Sequence, residues 1–227
     1  MSAQHQCLMP LEANPEVVNQ LLTLLGVRGL VARDLLGLEG ASLAAIPRPA
    51  HAIVLLLPRA AHDSGEGQGG AAIPGDVYHV TQPAQTLCGI LGIVHALANI
   101  PRAALRLDSD SPFKKFLEET KSLSPAERGE RLHSDTAISK AHLACANQGQ
   151  SQVPGEPSSV DLHYVALVCV GDGLYELDGW KAAPVHHGPS SAASVLEDAA
   201  RVCRSLVSRA PGDLRFSALV LCEETAA

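Results

Sequence analysis

The stretch Val160–Trp180, VDLHYVALVCVGDGLYELDGW, decides the fold. Val160 to Val170 is an almost unbroken apolar run, Gly171-Asp172-Gly173 is turn chemistry, and Leu174 to Asp178 runs back. These signals predict a β-hairpin, and with it an antiparallel sheet. A histidine inside the run breaks the pattern. His163 puts a titratable ring into a strand otherwise made of Val160, Leu162, Tyr164, Val165, Leu167 and Val168, and a polar ring entering a buried sheet needs a partner. Asp178 ends the returning strand at the same end of the hairpin, where a carboxylate can fix the imidazole's tautomer. With the turn centred on Asp172, Val170 faces Leu174 and His163 faces Lys181. Asp178 then falls three residues short, about 10 Å along the strand, so a bulge or a curled strand end must close the gap. The plain alternative is an aspartate that only caps the Asp-Gly turn.

Outward from the hairpin, helix and strand signals alternate. Asn14-Pro15-Glu16 opens a helix with Val17, Leu21, Leu24 and Leu25 on one face and Gly26 at its end. Ala52 to Leu57, AIVLLL, reads as a buried strand bounded by prolines. Asp63 to Asp76 carries five glycines and reads as a mobile surface loop, followed by a brief strand over Val77 to Val80. Ser111-Pro112 starts a helix with Phe113, Phe116 and Leu117 inward, Ser124 to Glu127 is a capping box for the next, and Asp135 to Asn147 is a third. A Pro-rich polar loop follows over Gln150 to Ser159. A helix over Ser194 to Ser208 buries Leu196, Ala199, Cys203 and Leu206, and Phe216 to Cys222 closes as a strand. There is no internal repeat and no domain boundary. The sequence predicts one domain over residues 1–227, of α/β (α+β) class, with a mixed, mostly antiparallel sheet.

Composition narrows the function classes. The hydrophobic content of 46 % supports a sizeable core, while an aromatic content of 3 % leaves its packing to Leu, Val, Ile and Ala. The net charge is −7, and basic residues such as Arg102, Arg106, Lys114, Lys115 and Lys121 are scattered, which argues against nucleic acid as a partner. No apolar run reaches the roughly 18 residues of a membrane span. The start, MSAQHQCLMPLEANPE, lacks the pattern of a secretory signal. The expectation is a soluble intracellular protein. Six cysteines, Cys7, Cys88, Cys145, Cys169, Cys203 and Cys222, include no C-x-x-C pair, which fits reduced thiols and no metal site.

A second stretch, Gln82 to Asn99 or QPAQTLCGILGIVHALAN, carries the chemistry. A helix starting near Thr86 or Leu87 puts Cys88 in its first turn, where unpaired N–H groups and the helix dipole favour a thiolate. The competing reading is a small buried hydrophobe. His95 shares the face of Cys88, but seven residues at a rise of 1.5 Å is about 10.5 Å, far beyond hydrogen-bond reach. It reads as a packed, hydrogen-bonded core histidine. His163, oriented by Asp178, is the better base. Gln82, six residues before Cys88, offers a side-chain amide to an oxyanion beside the backbone N–H of the nucleophile.

Gln82, Cys88, His163 and Asp178, in this order and spacing, resemble the ubiquitin C-terminal hydrolase family of cysteine deubiquitinases. The likeness extends through PLEANPEV, CGILGIVHALAN, SPFKKFLEETKSLSPAER, VDLHYVAL, LYELDG and RFSALVLC, and is closest to the small single-domain members. It is weakest over Val27 to Arg33 and Asp63 to Gly75. The resemblance implies a papain-like fold, a central antiparallel sheet flanked by helices in a knotted chain. It makes Cys88 the nucleophile, His163 the general base and then acid, Asp178 the residue that orients it, and Gln82 the oxyanion donor. It implies a thiol protease, without cofactor or metal, that removes small or unfolded adducts from the C-terminal glycine of ubiquitin. It further implies a crossover loop at 146–159, a monomer in the cytoplasm and also the nucleus, and NEDD8 as a related partner. Pro10, Leu11 and Glu12, and Leu214, Arg215 and Phe216, match family surfaces that touch ubiquitin. Their plain structural reading is a terminus packed beside the first helix and the approach to the last strand. Pro83, Thr86, Leu87 and Ile90 depart from the family pattern around the nucleophile, and Ala183 stands where a phenylalanine is usual. A catalytically impaired ubiquitin-binding module of the same fold is the alternative these departures leave open.

Overall fold

Strands β3 (Ala50–Pro58), β5 (Leu162–Val170) and β8 (Ser217–Glu223) are near-continuous apolar runs because both of their faces are covered. The computed structural model describes residues 11–63, 75–83, 87–146 and 162–224. Pro10, most of the predicted glycine-rich loop and nearly all of the predicted crossover loop lie outside these residues. With β2 (Leu30–Asp34), β6 (Gly173–Leu177) and β7 (Val185–Pro189), the three central strands form a six-stranded sheet in the order β2-β8-β3-β5-β6-β7. Each adjacent pair in it is antiparallel. Along β3, Ala52 and Val54 face one core while Ile53, Leu55 and Leu57 face the other, and along β5 Tyr164, Ala166 and Val168 alternate with Val165 and Leu167.

Helices cover both faces. On the first lie α1 (Pro15–Leu24), α4 (Cys88–Asn99), α5 (Pro112–Thr120), α6 (Pro125–Ser134) and α7 (Thr136–Ala146). On the second lies α8 (Val195–Val207), with the short α2 (Gly40–Ala44) and α3 (Arg59–Asp63). The starts of the helices follow their sequence signals. Asn14 Oδ1 accepts the Glu16 N–H at 2.8 Å, Ser111 Oγ accepts the Lys114 N–H at 3.0 Å, and Ser124 and Glu127 form the predicted reciprocal box. α1 buries Val17, Val18, Leu21 and Leu22, but Leu24 is 40 % exposed at the margin of that stripe, not part of it.

Two further expectations change, and some short strands had no sequence signal. Val77 to Val80 is not a strand, because its polar backbone is bonded to side chains: Asn99 Oδ1 accepts the Tyr78 N–H at 2.8 Å and His95 Nε2 accepts the Val80 N–H at 3.0 Å. The edge strands β2 and β7, and the ladder of β1 (Val27–Arg28) with β4 (Arg106–Leu107), were too short for a period to stand out. The hairpin turn is one residue tighter than expected: Val170 pairs with Gly173 across Gly171-Asp172, with Gly171 at φ +62°, a left-handed value that favours glycine. The ladder stops where Ala166 pairs with Leu177, so His163 is not set opposite Lys181.

Candidate active site

β6 ends at Leu177 and the chain turns at once, the Lys181 N–H donating to the Asp178 carbonyl at 3.2 Å. This is the curled strand end that closes the gap. It brings Asp178 Oδ1 to 2.6 Å from His163 Nε2, with the two side chains 0 % and 1 % exposed. The same Oδ1 accepts the backbone N–H of Trp180 at 2.8 Å. An ionised carboxylate only accepts, so with Asp178 ionised His163 Nε2 carries the ring proton and Nδ1 is the basic nitrogen. Beside the turn, Lys181 Nζ meets Glu176 Oε1 at 2.5 Å and His187 Nε2 meets Glu176 Oε2 at 2.9 Å. Burial pushes the Glu176 carboxyl up, but the His187 hydrogen bond and the Lys181 charge outweigh it and hold the group at about 2.

The segment before α4 closes over this turn. The Gln82 N–H donates to the Gly179 carbonyl at 2.7 Å. A Cβ at Gly179 would stand 2.2 Å from Leu91 Cδ2 and 2.9 Å from Gln82 Cβ, so the missing side chain is what lets Gln82 and α4 approach. His79 Nε2 donates to the Asp178 carbonyl at 3.0 Å and stacks on His95, ring centroids 5.3 Å apart. Arg128 of α6 donates to the His79 carbonyl at 3.0 Å and lies over the Tyr78 ring, 4.1 Å from its centroid. Burial depresses His79, and burial together with the His79 charge depresses His95 to about 3. His95 is the neutral core histidine that its position predicts, and it holds up the segment that carries Gln82.

Cys88 is the first residue of α4, as expected, and is 9 % exposed. Leu11 packs against the next residue, since a Cβ at Gly89 would stand 2.6 Å from Leu11 Cβ, and Tyr164 Oη donates to the Leu11 carbonyl at 2.7 Å. Burial works against the expectation that the helix start favours a thiolate. Burial pushes the Cys88 thiol up, against backbone hydrogen bonds at Gly89, at Cys88 itself and at Tyr164 that pull it down. Desolvation of a charge outweighs a few N–H dipoles at so covered a site. The Tyr164 contact sets the sulfur against the backbone of the residue that follows His163.

The remaining predicted positions divide. Leu11 is buried, as the structural reading of that segment requires, and Glu12 is half-buried. Leu214 is 92 % exposed, Arg215 is exposed and paired with Asp213 at 2.6 Å, and Phe216 lines a groove of about 680 Å³ with Leu36, Leu38 and Val207. Among the described residues no group of three His, Cys, Asp or Glu side chains is placed to hold a metal, and no helix is long and apolar enough to cross a membrane. Sequence reasoning missed His79, Leu36 and Trp180. The signal for Trp180 was available, as the one tryptophan of the chain stands directly after the Asp-Gly turn.

Comparison with known proteins agrees with this fold. The family model described as ubiquitin carboxyl-terminal hydrolase, family 1, matches residues 8–208. The chain is 41 % identical over 223 residues to ubiquitin carboxyl-terminal hydrolase isozyme L1 of Sus scrofa, covering 95 % of this chain and 98 % of that protein. It is 42 % identical over 212 residues to a ubiquitin carboxyl-terminal hydrolase of Aplysia californica, covering 92 % and 99 %. Its fold matches the catalytic domain of Trichinella spiralis UCH37, solved bound to ubiquitin vinyl methyl ester, with a TM-score of 0.81 over 96 % of this chain and 95 % of that one, at 23 % identity. With a family model matching most of its length and relatives above 40 % identity over nearly all of it, the chain belongs to family 1 of the ubiquitin carboxyl-terminal hydrolases.

Proposed function

We propose that the chain is a deubiquitinating thiol hydrolase that cleaves small or unfolded adducts from the C-terminal glycine of ubiquitin. The observation that carries this reading is the buried hydrogen bond of 2.6 Å from His163 Nε2 to Asp178, which leaves Nδ1 as the base. Cys88 lies against the backbone of the neighbouring residue, Tyr164. The Cys88 proton passes to His163 Nδ1, so that thiolate and imidazolium form together. The thiolate attacks the carbonyl carbon of the terminal glycine, and the oxyanion takes hydrogen bonds from the Cys88 N–H and the Gln82 side-chain amide. The imidazolium gives its proton to the leaving amine, which departs and leaves a thioester. His163 then takes a proton from water, the hydroxyl attacks the thioester, and ubiquitin leaves as the free carboxylate with the thiol restored.

Ubiquitin docks beside the 680 Å³ groove, where Leu214 and Leu36 stand 92 % and 91 % exposed next to Phe216. Arg215, exposed and next in sequence to Phe216, and the half-buried Glu12 are further contacts. Leu11 acts from below, packed against Gly89. NEDD8 is a second substrate, and the chain acts as a monomer. The test is reaction with ubiquitin vinyl methyl ester followed by intact mass. One ubiquitin adduct on Cys88, absent in Cys88→Ala, is the expected result. Binding of ubiquitin by a folded chain that forms no adduct and turns nothing over overturns it in favour of the impaired binding module.

A further inference from the structure

The indole of Trp180 stacks on the imidazole of His163, with ring centroids 3.7 Å apart and planes within 14°. The guanidinium of Arg59 lies over the same indole, 4.8 Å from its centroid. We propose that Trp180, steadied by Arg59, is a positioning residue for His163, fixing the plane of the imidazole and keeping water from its hydrogen bond to Asp178. This rests on the reading of His163 as the base.

Three separate parts of the chain build the stack. The turn after β6 folds Trp180 back toward β5, and Asp178 Oδ1 accepts both the His163 ring N–H at 2.6 Å and the Trp180 backbone N–H at 2.8 Å. One carboxylate oxygen thus ties the ring to the backbone that carries the indole. The Lys181–Glu176 contact at 2.5 Å anchors the far side of the turn. From the other neighbour, β3 pairs Leu57 with His163 and Pro58 with Leu162, so that Arg59 emerges beside the base at the start of α3. The cation over the ring face is a favourable contact that limits how far the indole can swing.

The need for a stack follows from the geometry of a histidine ring. Nε2 lies nearer the Cβ–Cγ axis than Nδ1 does, so the hydrogen bond at Nε2 restrains rotation about that axis weakly. Nδ1, the atom that must meet the thiol, is the one such rotation displaces further. A parallel aromatic ring at van der Waals distance blocks the rotation. His163 is fully buried while Trp180 is only half-buried, so the indole is the layer between the base and solvent.

The experiment measures turnover of a fluorogenic ubiquitin C-terminal amide by wild type, Trp180→Ala, Trp180→Phe and Arg59→Ala, with the folded state checked by circular dichroism. Trp180→Ala lowers kcat about 10-fold or more while KM stays within about two-fold, because misplacing the base slows chemistry and leaves the docking face untouched. Trp180→Phe restores a planar ring and recovers most of the loss, and Arg59→Ala gives a smaller loss in the same direction. Removing the stacked ring with His163→Ala changes the emission of the single tryptophan. A folded Trp180→Ala with kcat within about two-fold of wild type, or an emission unaltered by His163→Ala, overturns the proposal. So does a loss that Trp180→Phe fails to recover. Failure of the underlying reading shows separately, as turnover that survives His163→Ala.

Discussion

The acid stability of this protein turns on His95. The ring is 1 % exposed, accepts the Val80 N–H at 3.0 Å, and is depressed from 6.5 to about 3, first by burial and then by the neighbouring His79. Because the unfolded chain protonates more readily than the native one, this ring's contribution to stability is present in full above pH 6.5 and is lost as pH falls toward 3. The two values place the loss, relative to pH 7, at about 2 kcal/mol at pH 5 and about 3 kcal/mol at pH 4. His95→Gln puts a side-chain amide oxygen in place of the ring nitrogen as acceptor for the Val80 N–H and removes the titration. Urea unfolding at pH 7, 6 and 5, followed by far-UV circular dichroism, measures both proteins. The variant is the less stable at pH 7, but the advantage of the wild type shrinks by about 2 kcal/mol between pH 7 and pH 5. Groups common to both proteins, including His79 and His51, whose pKa values burial also lowers, cancel to first order in the difference. Equal slopes for the two proteins between pH 7 and pH 5 would refute the reasoning.

Other consequences are open to measurement. Glu176→Gln removes the partner of Lys181 and His187 from a side chain that is 2 % exposed, costing about 3 kcal/mol in chemical denaturation at neutral pH. Since the carboxyl is held at about 2 and not 4.5, that difference persists above pH 4.5 and closes as pH falls toward 2. Gly129→Ala would place a Cβ 2.0 Å from the Thr81 carbonyl oxygen and 3.1 Å from Pro83 Cδ, so α6 and the segment leading to Gln82 must part. The cost is about 1–3 kcal/mol, with kcat falling more than ubiquitin affinity; unchanged turnover would count against Gln82 as the oxyanion donor. Phe116→Ala empties a fully buried site on α5 and should cost about 3–5 kcal/mol in thermal unfolding.

The site was partly legible because its chemistry is punctuated locally. A polar ring in an apolar strand, an Asp-Gly after the returning strand, and a cysteine at a helix start each stand out against their neighbours. Their roles were less legible. A helix start alone argues for a thiolate at Cys88, yet Leu11 and the rest of the core cover it, and desolvation reverses the sign. The support from His79, Arg128 and Asn99 was invisible, because each bonds backbone groups distant in sequence.

Most of the elements follow from local physics. Ser and Asn caps, prolines at first helical positions and apolar runs bounded by turn residues depend on a few adjacent residues, so α1, α5, α6, α8, β3, β5 and β8 could be read along the chain. Elements of two to five residues with little burial contrast, such as β1, β4 and β7, could not. The 2.6 Å contact of His163 with Asp178 depended on a turn one residue tighter than expected and on a strand end that curls. The stack of Trp180 on His163 and the closure of Gln82 over Gly179 depended on α3, α4 and β3 all being packed at once. Residue type and period are properties of the near neighbourhood, whereas a distance between side chains from different elements is set by every layer packed between them, and only the folded chain defines it.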